Sequence, residues 1–390
     1  MVTSIIRDYY DIVIIGAGPA GLNAGMHLIG SKASILLVDK ITPWDQPIPC
    51  AEGVGKLGFG ESVKIRKSWI RQEIWSACYH SPDGSMVTYS DKNGGYIINR
   101  SVMQRDMAEE IGASGIECVF NKRIIAVSKP QEGIRTITFS DNSTTTAKVI
   151  IDASGPLGRF GKGEKITHKP QDLEPAYFVV AENLTINLDK IHIYTGSQFA
   201  PGGYAWVFPS DDGTANIGIV IGKKYVKDVN LRELLDSFLN TFFPEIKIVR
   251  RFAGSIPSHY KKGPIAVEGL IKAGDSASTV NPISRAGISE ALLCGRLAAD
   301  CALNMLQAKH PWQIRRVIKQ YENVWEKLRG KRHSKLSRAK NALISVPDHD
   351  YNSAAQTLSS VPQNELTMSK IFRASLGRFP RLVWAMRHLM

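Results

Sequence analysis

Ile12-Val13-Ile14-Ile15-Gly16-Ala17-Gly18-Pro19-Ala20-Gly21 is the stretch on which the fold turns. Four consecutive β-branched residues make a strand buried on both faces, the pattern of a parallel sheet. The glycines then turn the chain into a helix, and Ser34-Ile35-Leu36-Leu37-Val38 returns as a second strand, so residues 11 to 40 form a βαβ unit. In that setting the G-x-G-x-x-G spacing predicts a dinucleotide site. Gly16, Gly18, Ala20 and Gly21 let a pyrophosphate approach the helix N-terminus, where backbone N–H groups and the helix dipole favour negative charge. Asp39, at the end of the second strand with Lys40 beside it, is placed to accept hydrogen bonds from an adenosine ribose. NAD and FAD would both be served by this pattern.

Outward from this unit, a Pro-rich stretch from Thr42 to Cys50 and a glycine-rich one through Gly60 form a loop too long for a simple connection, and such loops usually carry function. Turn signals at Ser81-Pro82-Asp83-Gly84 and Asn93-Gly94-Gly95 mark antiparallel strands to about residue 98, and Arg100 to Ile111 reads as a helix. Val149-Ile150-Ile151-Asp152 and Ile271-Lys272-Ala273-Gly274-Asp275 are further buried strands, with a strand-rich region between about 175 and 260. Gly287 to Leu306 is an apolar helix, and the remainder is helical, basic and amphipathic. The expected fold is α/β, an α+β composite. Residues 1–75, 96–170 and 262–310 form the nucleotide domain, 76–95 and 171–261 a β-rich substrate domain, and 311–390 a helical basic C-terminal region.

Lysine and arginine (49) exceed aspartate and glutamate (36), for a net charge of +13. No nucleic-acid motif accompanies that charge, so an anionic ligand or membrane surface is the better match. The five cysteines, Cys50, Cys78, Cys118, Cys294 and Cys301, are scattered without CxxC spacing; neither a disulfide framework nor a metal site is expected, and the setting implied is a reducing cytoplasm. Arg7-Asp8-Tyr9-Tyr10-Asp11 precedes any apolar run, unlike a signal peptide, and no window is long and apolar enough to span a bilayer. Membrane contact, if any, is expected to be peripheral.

Gly274-Asp275-Ser276-Ala277, with Pro282 and then Gly287-Ile288, resembles the second FAD fingerprint of the p-hydroxybenzoate-hydroxylase-like flavoproteins. The resemblance implies a glutathione-reductase-type Rossmann fold binding FAD, with Asp275 on the ribityl chain. Gly287 and Ile288 would present N–H groups to the flavin pyrimidine edge. Asp152-Ala153-Ser154-Gly155 resembles the middle motif of the same group, with Ser154 where aspartate is common. Arg100 matches an arginine set beside the FAD pyrophosphate, and Ile124 a position that pairs with adenine through its backbone.

Pro201-Gly-Gly-Tyr204-Ala-Trp206-Val-Phe208-Pro209 resembles the YxWxFP signature of the geranylgeranyl reductase family, and Pro49-Cys50-Ala51-Glu52-Gly53-Val54 its flavin-proximal cysteine loop. These resemblances imply saturation of polyprenyl C=C bonds by reduced FAD, on substrates such as archaeal-type geranylgeranyl phospholipids. The physical donor of the electrons stays open among NADPH, NADH, a ferredoxin and a quinol, the ferredoxin being a partner protein. Tyr204, Trp206 and Phe208 fall at strand period two and share one face, either as the wall of an apolar substrate slot with Pro209 or as ordinary sheet core. Cys50 is the candidate proton donor, since a thiol at its ordinary acidity is protonated at neutral pH, and Glu52 is the second candidate. A small residue tolerated beside the flavin would explain Cys50 equally well.

Two basic segments stay open between lipid contact and ordinary packing: Arg329 to Lys335, and an amphipathic stretch from Lys370 to Leu389 interrupted by Pro380. Two other functions share these motifs. An FAD monooxygenase or halogenase would couple reduction to oxygen, although no WxWxIP-type element lies between the glycine loop and the middle motif. A prenyl-lipid escort protein resembling the Rab GDP-dissociation inhibitors would be colourless when purified.

Overall fold

The computed structural model describes residues 6–45, 47–166, 172–361 and 366. Its first part runs β1 (Tyr9–Ile15), α1 (Pro19–Leu28), β2 (Ile35–Val38), β3 (Gly53–Gly55), α2 (Lys56–Gly60), β4 (Ile70–His80), β5 (Met86–Ile98) and α3 (Arg100–Ala113). There follow β6 (Glu117–Val119), β7 (Ile124–Val127), β8 (Arg135–Phe139), β9 (Thr144–Asp152), β10 (Leu173–Glu182), β11 (Lys190–Tyr194), β12 (Tyr204–Pro209) and β13 (Thr214–Val220). The last part comprises α4 (Leu231–Phe242), β14 (Lys247–Pro257), β15 (Ala266–Val267), β16 (Leu270–Lys272), α5 (Ile288–Gln307), α6 (Pro311–Trp325), α7 (Lys331–Leu343) and α8 (Asp348–Ser359).

These strands make two sheets. The first has the order β15-β16-β9-β1-β2-β6, with β7 and β8 joined to it through β9. Its β16, β9, β1, β2 and β6 are all parallel. Burial on both faces follows from the β-branched run: Ile12, Val13 and Ile14 are each fully buried. α1 packs along α5, and only glycine fits at 295, where a Cβ would lie 2.1 Å from the Ala20 carbonyl oxygen. Beneath the sheet end, Lys272 Nζ donates to Asp152 Oδ2 at 3.0 Å and to the Gly158 carbonyl at 3.1 Å, and both side chains are inaccessible to solvent.

The second sheet has the order β14-β10-β13-β12-β11-β4-β5-β3 and is antiparallel except where β11 runs parallel to β4. It takes in Gly53–Gly55 and the whole of β4 and β5, so it begins upstream of residue 76 and extends past 95, where the sequence reading placed its limits. A three-residue glycine-bearing strand has no alternation to read, which is why its membership was invisible. One face of the sheet is covered by α4, whose Leu235, Phe238 and Leu239 pack with Val179, Ala205, Val207, Ile217 and Ile219. The opposite face carries Phe178 and Trp206, and Gly218 between them leaves the space they need: a Cβ there would lie 2.3 Å from that of Phe178 and 2.4 Å from the Trp206 ring.

α6 continues through a π-helical turn, Glu326–Gly330, into α7. Part of the basic run at 329–335 turns inward: Arg329 donates to Glu290 at 3.0 Å and also to Glu61, and His333 is buried. The segment from Lys370 to Leu389 lies outside the described residues. Among the described residues no helix is long and apolar enough to cross a membrane.

Candidate functional site

Three turns of the first sheet converge on the N-terminus of α1. Gly16 takes φ +104°, and a Cβ on it would lie 2.4 Å from the carbonyl oxygen of Ala153, so the turn after β1 packs directly on the segment after β9. A Cβ on Gly21 would collide with the Gly16 carbonyl at 1.8 Å. Gly18, by contrast, faces open space: nothing lies within 4 Å of where its Cβ would be, and it precedes a helix with no side-chain cap. An uncapped, unobstructed helix N-terminus is the cradle a pyrophosphate needs. Asp39 Oδ2 accepts the Ala17 N–H at 2.6 Å, tying the end of β2 to this turn, and burial pushes its carboxyl above the usual range. Val119 and Lys122 bond the Asp39 backbone, which draws the start of β7 and Ile124 alongside, whereas Lys40 is exposed.

Arg100 opens α3 and reaches the same place. Its Nε donates to Gln104 Oε1 at 2.6 Å, and Gln104 Nε2 donates to the Ala17 carbonyl at 3.0 Å, so a buried glutamine anchors the guanidinium to the glycine turn. Sequence reasoning missed Gln104, although its i+4 position on a helix from Arg100 was a usable signal. Gly155 sits at φ +90° with open space beside it.

The second glycine motif follows β16. Gly274 adopts φ +65° and packs on Ala20, and a Cβ on Gly287 would come within 3.7 Å of Asp275 Oδ1. Asp275, whose carboxyl is pushed up by burial and pulled down by the Arg100 charge, therefore stands beside the uncapped N-terminus of α5 that Gly287 and Ile288 form. Pro282 lies in a turn in which Asn281 Oδ1 accepts the N–H groups of Ile283 and Ser284. The half-buried Asp275 carboxylate, set beside that helix end, is an acceptor that suits the hydroxyls of a ribityl chain. The donors and acceptors thus fit FAD.

The cysteine loop bridges the two sheets. Glu52 takes φ +63°, accepts the Arg100 N–H on Oε1 at 2.9 Å, and donates its own N–H to Cys50 Sγ at 3.3 Å. Asn216 Nδ2 donates to the Cys50 carbonyl at 3.0 Å while its Oδ1 accepts the Trp206 indole N–H at 2.8 Å. Asn216, which sequence reasoning did not single out, therefore fastens the cysteine loop to the aromatic strand. At one end of that strand Phe208 lies against Gly53, where a Cβ would be 2.8 Å from the ring, and Pro209 closes β12. At its other end the Tyr204 hydroxyl donates to the Ser284 carbonyl at 2.6 Å, with the Arg285 guanidinium 5.0 Å above its ring. Ala51 packs in the same cluster as Trp206 and Phe178. Tyr204, Trp206 and Phe208, with ring centroids 6.2 and 6.5 Å apart in succession, thus run from the second glycine motif to the cysteine loop.

Comparison with known proteins decides the family. The model of the geranylgeranyl reductase catalytic domain matches residues 172–256, and that of lycopene cyclase protein matches residues 11–177. A digeranylgeranylglycerophospholipid reductase of Methanocella arvoryzae is 30% identical, covering 97% of this chain and 98% of the relative. The chain belongs to the geranylgeranyl reductase family. A second such reductase, from Methanosarcina mazei, is also 30% identical over 98% of this chain and 97% of its own. This geranylgeranyl reductase family member is an oxidoreductase that uses FAD. Its fold is that of a geranylgeranyl bacteriochlorophyll reductase-like protein of Thermoplasma acidophilum, with TM-score 0.87 at 23% identity, covering 98% of this chain and all of the other. A flavin-dependent brominase is more distant, with TM-score 0.69 at 18% identity over 95% of this chain and all of the other.

Glu52 gives this family member a measurable pH signature. Burial raises its carboxyl above the value of an unfolded glutamate, against the pull of the Arg100 N–H and of the Arg71 and Arg100 charges. The folded state then binds more protons than the unfolded one over the interval between the two values, so stability falls as pH rises through it. Glu52→Gln keeps an acceptor for Arg100 and removes the ionisation. Urea unfolding should show the variant more stable than the parent at pH 7, with the difference shrinking as pH drops toward 4; a constant difference would mean that Glu52 ionises no differently on folding.

Proposed function

We propose that this enzyme saturates the C=C bonds of geranylgeranyl chains carried on a glycerophospholipid-type head group. The observation that carries the reading is the full-length likeness to relatives named digeranylgeranylglycerophospholipid reductases. FAD, once reduced by an external donor such as NADPH, NADH, a ferredoxin or a quinol, supplies the hydride.

The chain's own residues hold and aim the reactants. Gly16, Gly18, Ala20 and Gly21 open the α1 N-terminus to the pyrophosphate and Arg100 meets its charge. Asp39, with Lys40 at its side, takes the ribose; Ile124 offers its backbone to the adenine; and Gly155 clears the turn after β9. Gly274 and Asp275 take the ribityl chain, the turn at Pro282 leads into α5, and Gly287 and Ile288 aim N–H groups at the pyrimidine edge, where they favour negative charge. Cys50, Ala51 and Gly53 would lie beside the isoalloxazine.

An isolated trisubstituted alkene has no carbonyl to delocalise charge, so the reaction develops cation-like character at the more substituted carbon. Tyr204, Trp206 and Phe208, with Pro209, exclude water, and their ring faces stabilise that positive charge. Cys50 delivers the proton to the carbon that does not take the hydride. Glu52 braces it: its carboxylate is engaged with the start of α3 and its N–H points at the thiol. The enzyme meets its lipid at the membrane surface, as a peripheral protein.

Anaerobic reduction with dithionite, followed by addition of digeranylgeranyl phospholipid, tests the reading. Flavin reoxidation with a mass gain of two hydrogens per double bond is expected. Reoxidation only on admission of oxygen would reject it and favour a monooxygenase.

A further inference from the structure

The face of the second sheet that α4 covers carries a cluster the reaction does not use. β11 pairs in parallel with β4 so that His192 lies opposite Cys78 and Tyr194 opposite His80. Residues two apart on a strand share a face, so the three side chains Cys78, His80 and His192 meet on one surface. His80 Nε2 and His192 Nδ1 stand 3.0 Å apart, and the Cys78 sulfur and one nitrogen of each histidine all lie within 4.8 Å of one another. Tyr194 stacks on His80 with centroids 4.0 Å apart and planes 8° from parallel, which fixes the orientation of that ring.

The cluster is poorly explained as packing. With His192 Nδ1 turned to His80, its Nε2 is buried without a hydrogen-bond partner among the described residues. A single imidazole–imidazole hydrogen bond is small return for that loss. Cys78 is buried and a free thiol. The donor set is two nitrogens and one sulfur with no carboxylate, which favours a borderline-soft ion over magnesium or calcium. His80 also lines a cleft of about 410 Å³ with Phe199 and Phe238, which leaves one side of its ring open.

We propose that Cys78, His80 and His192 bind one thiophilic divalent ion of the zinc class, joining β4 to β11 on the sheet face opposite Trp206. Trp206 pairs with Ile193, the neighbour of His192, and so points to the other side. The ion therefore serves the sheet that carries the aromatic wall without touching the reacting atoms. The cysteine pattern did not betray it because the ligands are a Cys-x-His on one strand and a histidine more than a hundred residues later, not a CxxC pair.

Cobalt(II) is the probe, since a tetrahedral N/S site gives it d–d bands to the red of the flavin absorption. The FAD-loaded full-length protein, stripped with a chelator, is titrated with Co²⁺ and then with Zn²⁺. One equivalent of Co²⁺ with intense red-edge bands, displaced by one equivalent of Zn²⁺, is expected. Cys78→Ser and His192→Ala should each abolish stoichiometric binding while retaining FAD, and Cys118→Ser should leave it intact. Absence of those bands in the unmutated protein overturns the proposal with no variant needed. Unchanged bands in Cys78→Ser or His192→Ala overturn it equally.

Discussion

Cys50→Ala is expected to slow lipid-dependent flavin reoxidation by about 10²–10⁴-fold, the usual contribution of a positioned general acid, with FAD content unchanged. Two contacts hold Cys50 in position, and a third fixes one of the partners. Its sulfur receives the Glu52 N–H at 3.3 Å, its carbonyl receives Asn216 Nδ2 at 3.0 Å, and Asn216 is fixed in turn by the Trp206 indole. The Asn216 tie to the Cys50 carbonyl does not need the thiol, so alanine should keep the loop fastened to β13 while losing the proton and the Glu52 N–H contact to sulfur. The competing account, a small residue accommodated beside the flavin, makes the opposite forecast: alanine would then turn over within a few-fold of the parent. Cys50→Ser sharpens the contrast, because a hydroxyl of similar size is a far weaker acid. Under the proton-donor reading serine fails nearly as badly as alanine in kcat with KM little changed; under the packing reading both variants are active. Replacing Asn216 by Ala offers an independent check, since it frees the loop while keeping the thiol and should raise KM as well as lower kcat.

What the sequence disclosed and what it hid follow from how far each feature depends on non-local contacts. The glycine turn after β1 was legible because Gly16, Gly18 and Gly21 answer to backbone geometry within six residues. The shared face of Tyr204, Trp206 and Phe208 was legible because a strand alternates with period two, and the structure adds what lies at either end: Gly53 beside Phe208 and the Ser284 carbonyl on Tyr204. Family resemblance, not periodicity, pointed to the cysteine loop. The tie from Asn216 to Cys50 spans 166 residues, and the meeting of His80 with His192 spans 112 and depends on a parallel pairing inside an otherwise antiparallel sheet. Neither leaves a trace in local pattern. Three-residue β3 was hidden for a different reason, being too short to show any period at all.

Lys272→Met should be the most destabilising single change among the buried polar groups of the nucleotide-binding sheet, by about 3–5 kcal/mol in denaturant unfolding. Lys272 sits on β16 beside Asp152 at the end of β9, the two strands pairing in register at that point, and neither side chain reaches solvent. Methionine fills much of the same volume, so the cost would come from the carboxylate left behind and not from a cavity. Asp152 would keep the Ser154 N–H and hydroxyl on Oδ1, and its Oδ2 would lose the ammonium. The Gly158 carbonyl would lose a donor in the same step. Replacing both members, Lys272→Met with Asp152→Leu, should recover much of the loss, because two apolar groups leave no charge unpaired, although Ser154 would then lack its acceptor. FAD retention separates this from a catalytic effect: the pair lies beneath the turn that carries Gly155, so the single variant should release FAD at lower denaturant than the parent, while turnover per bound flavin in buffer stays within a few-fold. If Lys272→Met cost under ~1 kcal/mol, water must reach Asp152 in solution, and the pair would not be the buried clamp between β9 and β16 that its geometry describes.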